Sequence, residues 1–295
     1  MHLLITGANG VVGRFITRRM LDDGHKVTAL GRRPVEGCRT GFCRFDLSEA
    51  PPELPEADIL VHCAFQHEPG KYRGGEGDDP HGFIQANAEG TQRLFEAAKR
   101  AGVRHCVFLS SRAVYTDTGN WAVLNENSET QSDSLYGQVK LAGEEALKSL
   151  CDEAFSGSVL RATGVYGCPP GLSEHKWSDL FIRLENGEDI APRLGTEVHG
   201  EDLADAVLKV LNRNTSQGNS FEVFNVSDLL LDRQDLLKSY ARVRNISVDL
   251  PARAPGPLGV MDAGKLKVLG WQPGGSARLQ SFLEKSCVAE AGNQD

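Results

Sequence analysis

Tyr136 and Lys140 stand four residues apart in Leu-Tyr-Gly-Gln-Val-Lys, and on a helix that spacing puts a phenol and an ammonium on one face, about 6 Å apart in rise. A phenol that ionises near ~10 is a poor proton-transfer group at neutral pH; a neighbouring ammonium favours the phenolate and moves it toward the working range. Alone, the pair would read as a surface contact. Upstream, however, the run Cys-Val-Phe-Leu-Ser at 106–110 has the character of a strand, and it delivers Ser110 and Ser111 to the C-terminal edge of a sheet, where a hydroxyl can donate to a carbonyl oxygen. Tyr136 and Lys140, with Ser110 or Ser111, are therefore the candidate catalytic residues.

A second constellation opens the chain. Gly7-Ala8-Asn9-Gly10-Val11-Val12-Gly13 follows the first apolar run and leads into an amphipathic stretch. Glycines there let the backbone turn tightly against a pyrophosphate, and free N–H groups at the helix start favour its charge. Gly7, Gly10, Val11, Val12 and Gly13 are assigned to a dinucleotide, with Ala64 at the end of the run Ile-Leu-Val-His-Cys-Ala at 59–64. The second run ends in Gly31-Arg32-Arg33, where a carboxylate would hold the ribose hydroxyls of NAD and an arginine the 2′-phosphate of NADP. NADP is favoured and NAD stays open. Asp46 and Leu47, after the third short strand, are placed beside the adenine.

The elements that must position these groups are visible as alternation. Apolar runs at 3–6, 27–30, 59–64, 106–110, 158–162 and 221–226 are separated by helical stretches such as 90–101 and 135–150. Strands this apolar are covered on both faces, which predicts an α/β fold, a Rossmann doubly wound parallel sheet with a smaller C-terminal substrate lobe. The expected division is a dinucleotide-binding unit over 1–165 plus the strand near 221–226, and a lobe over 166–220 and 227–290. A Gly- and charge-rich stretch at 66–82 reads as a long mobile loop.

Composition closes off other classes. The 295 residues carry a formal net charge of −8, 40% hydrophobic and 24% charged residues, an ordinary globular make-up without a basic stripe for nucleic acid. No apolar run reaches the ~20 residues of a membrane helix. The first residues run straight into a strand, without the basic region, apolar stretch and cleavage site of a leader, so a cytoplasmic protein is expected. Seven cysteines, Cys38, Cys43, Cys63, Cys106, Cys151, Cys168 and Cys287, form no Cys-x-x-Cys pair; reduced thiols and no metal site are expected.

Taken in order, GANGVVG, NAEGT at 87–91, FLSSRAVY at 108–115, YGQVKLAGE at 136–144 and LRATGVYG at 160–167 resemble the landmarks of extended short-chain dehydrogenases, the NAD-dependent epimerase/dehydratase superfamily. The resemblance spans nearly the whole chain. It implies that Ser111 holds the substrate oxygen, Tyr136 exchanges the proton, Lys140 lowers the tyrosine pKa and binds the nicotinamide ribose, and Asn87, counted with the cofactor site, steadies the central helix. It also implies hydride transfer at nicotinamide C4, a nucleotide-linked sugar as the common substrate, and a two-fold dimer through helices around 83–101 and 134–153. KLAGEEAL, GTEVHGEDLADAV at 195–207 and DAGKLKVLGWQP at 262–273 are similar in order to dTDP-4-dehydrorhamnose reductases. Three departures matter. Ser111-Arg112-Ala113 stands where dehydratases carry Thr-Asp-Glu, Gly195 where many epimerases carry Arg, and Gly164 where an Asn is frequent.

On the substrate side, Arg161, Lys176 and His199 are the candidates, with Arg183 and Arg193 as further cations. Asp202 reads as a first-turn helix carboxylate, and Trp177 and Trp271 as core of the small lobe, with a place lining a substrate pocket beside Lys176 as the alternative for Trp177. The leading function is an NAD(P)-dependent carbonyl reductase or alcohol dehydrogenase acting on a sugar-like or nucleotide-linked substrate. The alternatives are a nucleotide-sugar epimerase with tightly bound NAD and a catalytically silent dinucleotide sensor, against which the intact Ser111, Tyr136 and Lys140 speak.

Overall fold

The structure is a computed structural model that describes residues 1–68, 75–116, 120–213 and 220–291, with side chains to 286. Along the chain come β1 (His2–Thr6), α1 (Val11–Asp22), β2 (Lys26–Gly31), β3 (Gly41–Arg44), β4 (Ile59–His62), α2 (Pro80–Ile84), a π turn (Gln85–Glu89), α3 (Gly90–Arg100), β5 (His105–Ser111), a 3-10 turn (Arg112–Val114), β6 (Val123–Leu124), α4 (Leu135–Leu150) and β7 (Ser156–Ala162). Then follow β8 (Gly164–Tyr166), α5 (Ser178–Glu185), β9 (Leu194–His199), α6 (Gly200–Leu211), β10 (Phe221–Val226), β11 (Leu229–Asp232), α7 (Arg233–Arg244), β12 (Val260–Met261), α8 (Gly264–Val268) and α9 (Gly275–Ala291).

Seven strands pair in parallel in the order β10-β7-β5-β4-β1-β2-β3. Their runs are apolar throughout because both faces are covered. Leu3 and Ile5 point to one side, where α1, α6 and α8 bring Ile16, Met20, Leu203, Val207 and Leu266. Leu4 and Leu60 point to the other, against Leu94 and Phe95 of α3 and Leu147 of α4. The period of two along each strand sorts the side chains into these layers. The sequence order reverses between β1 and β4, and the C-terminal ends of the strands on either side of that reversal form the crevice.

A smaller sheet, β11-β9-β8, packs with α5, α7 and α9 around Tyr166, Trp177, Phe181, Leu236, Tyr240 and Phe282. Its boundary differs from the sequence expectation. The segment 166–220 was expected in the small lobe, yet α6 lies on the large sheet, because Gly200 leaves room for the Phe15 ring: a Cβ there would meet it at 2.2 Å. Trp271, expected in the small lobe, also packs in the large layer, its Nε1–H donating to the Asp202 carbonyl at 2.8 Å. The loop expected over 66–82 is shorter: α2 starts at Pro80, capped by Asp79, whose carboxylate accepts the Gly82 N–H at 2.9 Å. Residues 69–74 of that stretch lie outside the described residues.

Candidate active site

The glycine turn at the end of β1 is built for close approach. Gly7 has φ +67° and Gly10 N–H closes the turn on the Gly7 carbonyl at 2.8 Å. A Cβ on Gly7 would stand 2.7 Å from the Ala64 nitrogen, and one on Gly13 would stand 2.1 Å from the Gly7 oxygen. No side chain caps α1, so the first-turn amides of Val11, Val12 and Gly13 are offered to an anion. These features fit a pyrophosphate, and the strand-order reversal puts it in the crevice.

Across that crevice a buried polar chain holds the start of the segment after β4. The Thr6 hydroxyl accepts the N–H groups of Cys63 (3.1 Å) and Ala64 (3.0 Å). Its own proton therefore goes to Nδ1 of His62 at 2.7 Å, which makes Nε2 the protonated nitrogen, donating to Thr91 of α3 at 2.9 Å. Burial, helped by the Lys140 charge, lowers the His62 pKa to about 3, so the ring stays neutral. Asn87 sits in the π turn and acts on the same segment: it accepts from Gln66 N–H at 2.8 Å and donates to the carbonyls of Gln66 (2.8 Å) and Phe83 (2.9 Å). Its side chain staples a loop to the helix, a more specific task than steadying the helix.

The stapled segment carries Phe65, whose ring meets Tyr136 edge-on at 5.1 Å. The Lys140 ammonium lies 4.7 Å from the Phe65 ring and 5.0 Å from that of Phe108 and donates to the Leu109 carbonyl at 2.7 Å. It is buried, and burial lowers its pKa to about 8 against the opposing pull of Cys63 and Glu144. Tyr136 and Lys140 ride on α4, which starts where Ser134 accepts the Gly137 N–H at 3.1 Å. Gly137 lets the helix start close against the turn after β5, since a Cβ there would meet the Ala113 carbonyl at 2.4 Å. That turn begins at Ser111, whose Oγ accepts the Ala113 N–H at 3.1 Å and keeps its proton to donate. Ser111, Tyr136 and Lys140 thus gather at the edge that also holds the glycine turn.

At the end of β2, Arg32 and Arg33 are exposed, and Asn9 ties the glycine turn to this segment through the carbonyls of Arg33 (2.8 Å) and Pro34 (3.1 Å). Hydrogen bonds from Ser48, with a smaller pull from Arg32, hold the Asp46 carboxyl below its ordinary range. Leu47 is buried, and Gly90 of α3 approaches its carbonyl so closely that a Cβ would stand 2.1 Å away.

The substrate-side residues are distributed otherwise. Arg161 is 5% exposed and bound to Glu144 through Nε (3.1 and 3.2 Å) and Nη2 (2.7 Å), so it is a partner of α4 and not a group turned to a ligand. His199 is also turned inward: its Nδ1 accepts the Glu201 N–H at 3.2 Å to cap α6, its ring lies edge-on to Phe15 and Tyr166, and burial lowers its pKa to about 4. Asp202 accepts the Gly274 N–H at 3.1 Å and pairs with Arg278. Lys176 pairs with Glu197 in the small lobe, beside a notch lined by Trp177, Arg193, Gly195, Leu231 and Arg233. The Arg193 guanidinium lies beside Gly195, at ordinary contact distance, 3.7 Å, from where a Cβ would stand.

Phe65, His62, Thr6 and Glu144 went unassigned by sequence reasoning. Thr6 and His62 depend on partners 29 to 58 residues away and Phe65 on Tyr136 and Lys140, farther still along the chain, and no local spacing encodes those contacts. A cavity of about 700 Å³ opens at the other edge of the sheet, where Arg104 pairs with Asp58, Lys99 with Asp152 and Arg213 with Glu222. Among the described residues no cluster of His, Cys, Asp or Glu could hold a metal ion, no helix is long and apolar enough to cross a membrane, and the six cysteines with described side chains are free thiols. Cys287 lies outside them.

A parallel sheet with this strand order and a glycine turn at its reversal defines a doubly wound dinucleotide-binding class. The chain belongs to the NAD dependent epimerase/dehydratase family, which it matches over residues 3–227. It is 26% identical over 224 residues to a dTDP-4-dehydrorhamnose reductase of Mycolicibacterium smegmatis, covering 74% of this chain and 62% of that enzyme. It is 30% identical over 210 residues to a probable dTDP-4,6-dihydroxy-2-methyloxan-3-one 4-ketoreductase of Streptomyces antibioticus, covering 71% and 67%. The fold is shared with a UDP-glucose 4-epimerase of Thermotoga maritima at a TM-score of 0.82 and 20% identity, over 100% of both chains. MoeE5 in complex with UDP-glucose and NAD gives 0.80 at 23% identity, over 99% and 100%.

Proposed function

We propose that this protein is an NAD(P)-dependent oxidoreductase that reduces a carbonyl, or oxidises the matching alcohol, on a nucleotide-linked sugar. The observation that carries the reading is the buried Lys140 ammonium held with Tyr136 under Phe65, at the strand edge that presents Ser111. The dinucleotide, held by Gly7, Gly10, Val11, Val12 and Gly13 with Ala64 opposite, would supply or accept a hydride at its nicotinamide. The residues do the rest. Ser111 donates a hydrogen bond to the substrate oxygen. Tyr136 gives that oxygen a proton in reduction and takes it back in oxidation. Lys140, charged at neutral pH, favours the phenolate form of its neighbour.

The relatives named as reductases of dTDP-linked ketosugars support the substrate class. Arg193 and Arg233 at the small-lobe notch are suited to an anionic substrate portion. Dehydration has no support in the side chains: Ala113 carries no carboxylate, and Arg112 donates to the Gly259 carbonyl at 2.7 Å. Exposed Arg32 and Arg33 favour NADP over NAD as the diffusible cosubstrate.

The test is turnover of NADPH and NADH with a panel of dTDP- and UDP-linked ketosugars. Tyr136→Phe is expected to lower turnover about 10²-fold or more at unchanged cofactor affinity, and Ser111→Ala to cost mainly turnover. Near-parental turnover in Tyr136→Phe would refute the proton-transfer role. NAD that stays bound through purification would turn the reading toward an epimerase.

A further inference from the structure

Glu144 lies one helical turn beyond Lys140 on α4, 6% exposed, and its carboxylate is the meeting point of three segments. Ser110, next to Ser111 on β5, donates to it at 2.5 Å. Arg161, register partner of Ser110 on β7, grips it with two nitrogens, at 3.1 and 3.2 Å from Nε and 2.7 Å from Nη2. The other end of the same guanidinium donates from Nη1 to the Tyr115 hydroxyl at 3.0 Å. That hydroxyl passes its own proton to Asn225 of β10 at 2.7 Å. Tyr115 belongs to the segment that leaves Ser111, so one buried ion pair joins the helix carrying Tyr136 and Lys140 to both sides of Ser111. A pair this enclosed adds little net stability over an apolar pair of equal size, and its geometry is its contribution.

We infer that Glu144 and Arg161 are positioning residues for Ser111, Tyr136 and Lys140, and that the Glu144 carboxylate sets the field in which the Lys140 ammonium sits. The inference rests on the catalytic reading for its significance, while its test reads the Lys140 ammonium directly. The groups facing that ammonium are His62 on β4, the Cys63 thiol and Phe65 ring after it, Phe108 and the Leu109 carbonyl on β5, and Tyr136 and Glu144 on its own helix. Glu144 favours the charged lysine, while burial opposes it. Of the two members of the ion pair, the Glu144 carboxylate is the one whose charge bears on the ammonium, pulling its pKa upward.

The experiment is titration of the Lys140 ¹⁵N side-chain signal in lysine-labelled protein without substrate, assigned with Lys140→Met. Glu144→Gln removes the negative charge and is expected to lower the midpoint by about half to one pH unit. Arg161→Gln leaves the carboxylate unopposed and is expected to raise it. These opposite signs separate charge placement from loosening, since a loosened core admits water and moves both midpoints up toward that of a solvated lysine. Midpoints that both rise, or that both stay within about 0.2 unit of the parent, a shift too small for a charge one turn away, overturn the inference. Where a single variant does not fold, the neutral Glu144→Gln/Arg161→Gln protein decides: a lowered midpoint supports it, and a raised or unchanged one overturns it. Because no turnover is measured, failure here is distinct from failure of the Tyr136→Phe test.

Discussion

Lys140→Met should make the protein more stable at neutral pH while removing a group the proposed chemistry needs. The ammonium is buried, and its pKa falls from 10.5 to about 8, a difference of about 2.5 units. At about 1.36 kcal/mol per unit, holding the charge in the folded state costs about 3 kcal/mol relative to water. Methionine keeps the length of the side chain and suits the contact with Phe65 and Phe108. It loses the hydrogen bond to Leu109, worth about 1 kcal/mol, so a net gain of about 2 kcal/mol is expected at pH 7. The sign changes with pH in a defined window. Between pH 8 and 10.5 the unfolded chain keeps this proton and the native chain has shed it, so the stability of the parent rises with pH and the gap to the variant closes. Urea unfolding at pH 7, 8.5 and 10, followed by the fluorescence of buried Trp177 and Trp271, measures this. A variant less stable than the parent at pH 7, or a gap unchanged at pH 10, would refute a charged, desolvated Lys140.

Cofactor choice turns on the exposed end of β2: NADPH is expected to bind more tightly than NADH, increasingly so at low salt, and Arg32→Asp to erase or invert the order in fluorescence titrations. Equal parental affinities for the two would contradict this. For assembly, Leu94, Phe95, Val139 and Leu147 face the sheet, while Gln92, Gln138, Ala142 and Glu145 face outward. A two-fold dimer through α3 and α4 would therefore rest on polar and small residues, and sedimentation should find it at micromolar concentration and show it weakened by salt; a monomer throughout counts against it.

What was legible in the sequence was whatever is encoded by spacing along the chain. The four-position spacing of Tyr136 and Lys140 on one helix, three glycines after a strand, and apolar runs separated by helical stretches define local geometry by themselves, because helix and strand periods determine which side chains share a face. The doubly wound sheet followed from those runs. Tertiary structure decided the partners. Arg161 stands near the end of a strand at the same sheet edge as Ser111, a position that suggests a ligand contact; only the neighbouring α4 shows that Glu144 claims its guanidinium. His199 looked available until Phe15 and Tyr166 closed over it, and α6 joined the large sheet because Gly200 admits the Phe15 ring. The polarity of Lys140 was evident from its residue type, but the desolvation that lowers its pKa comes from Phe65, Phe108 and the sheet edge, 75 to 31 residues away in the chain. A buried group's energetics depend on what fills the space around it, and that packing is set by long-range contacts that no local pattern records.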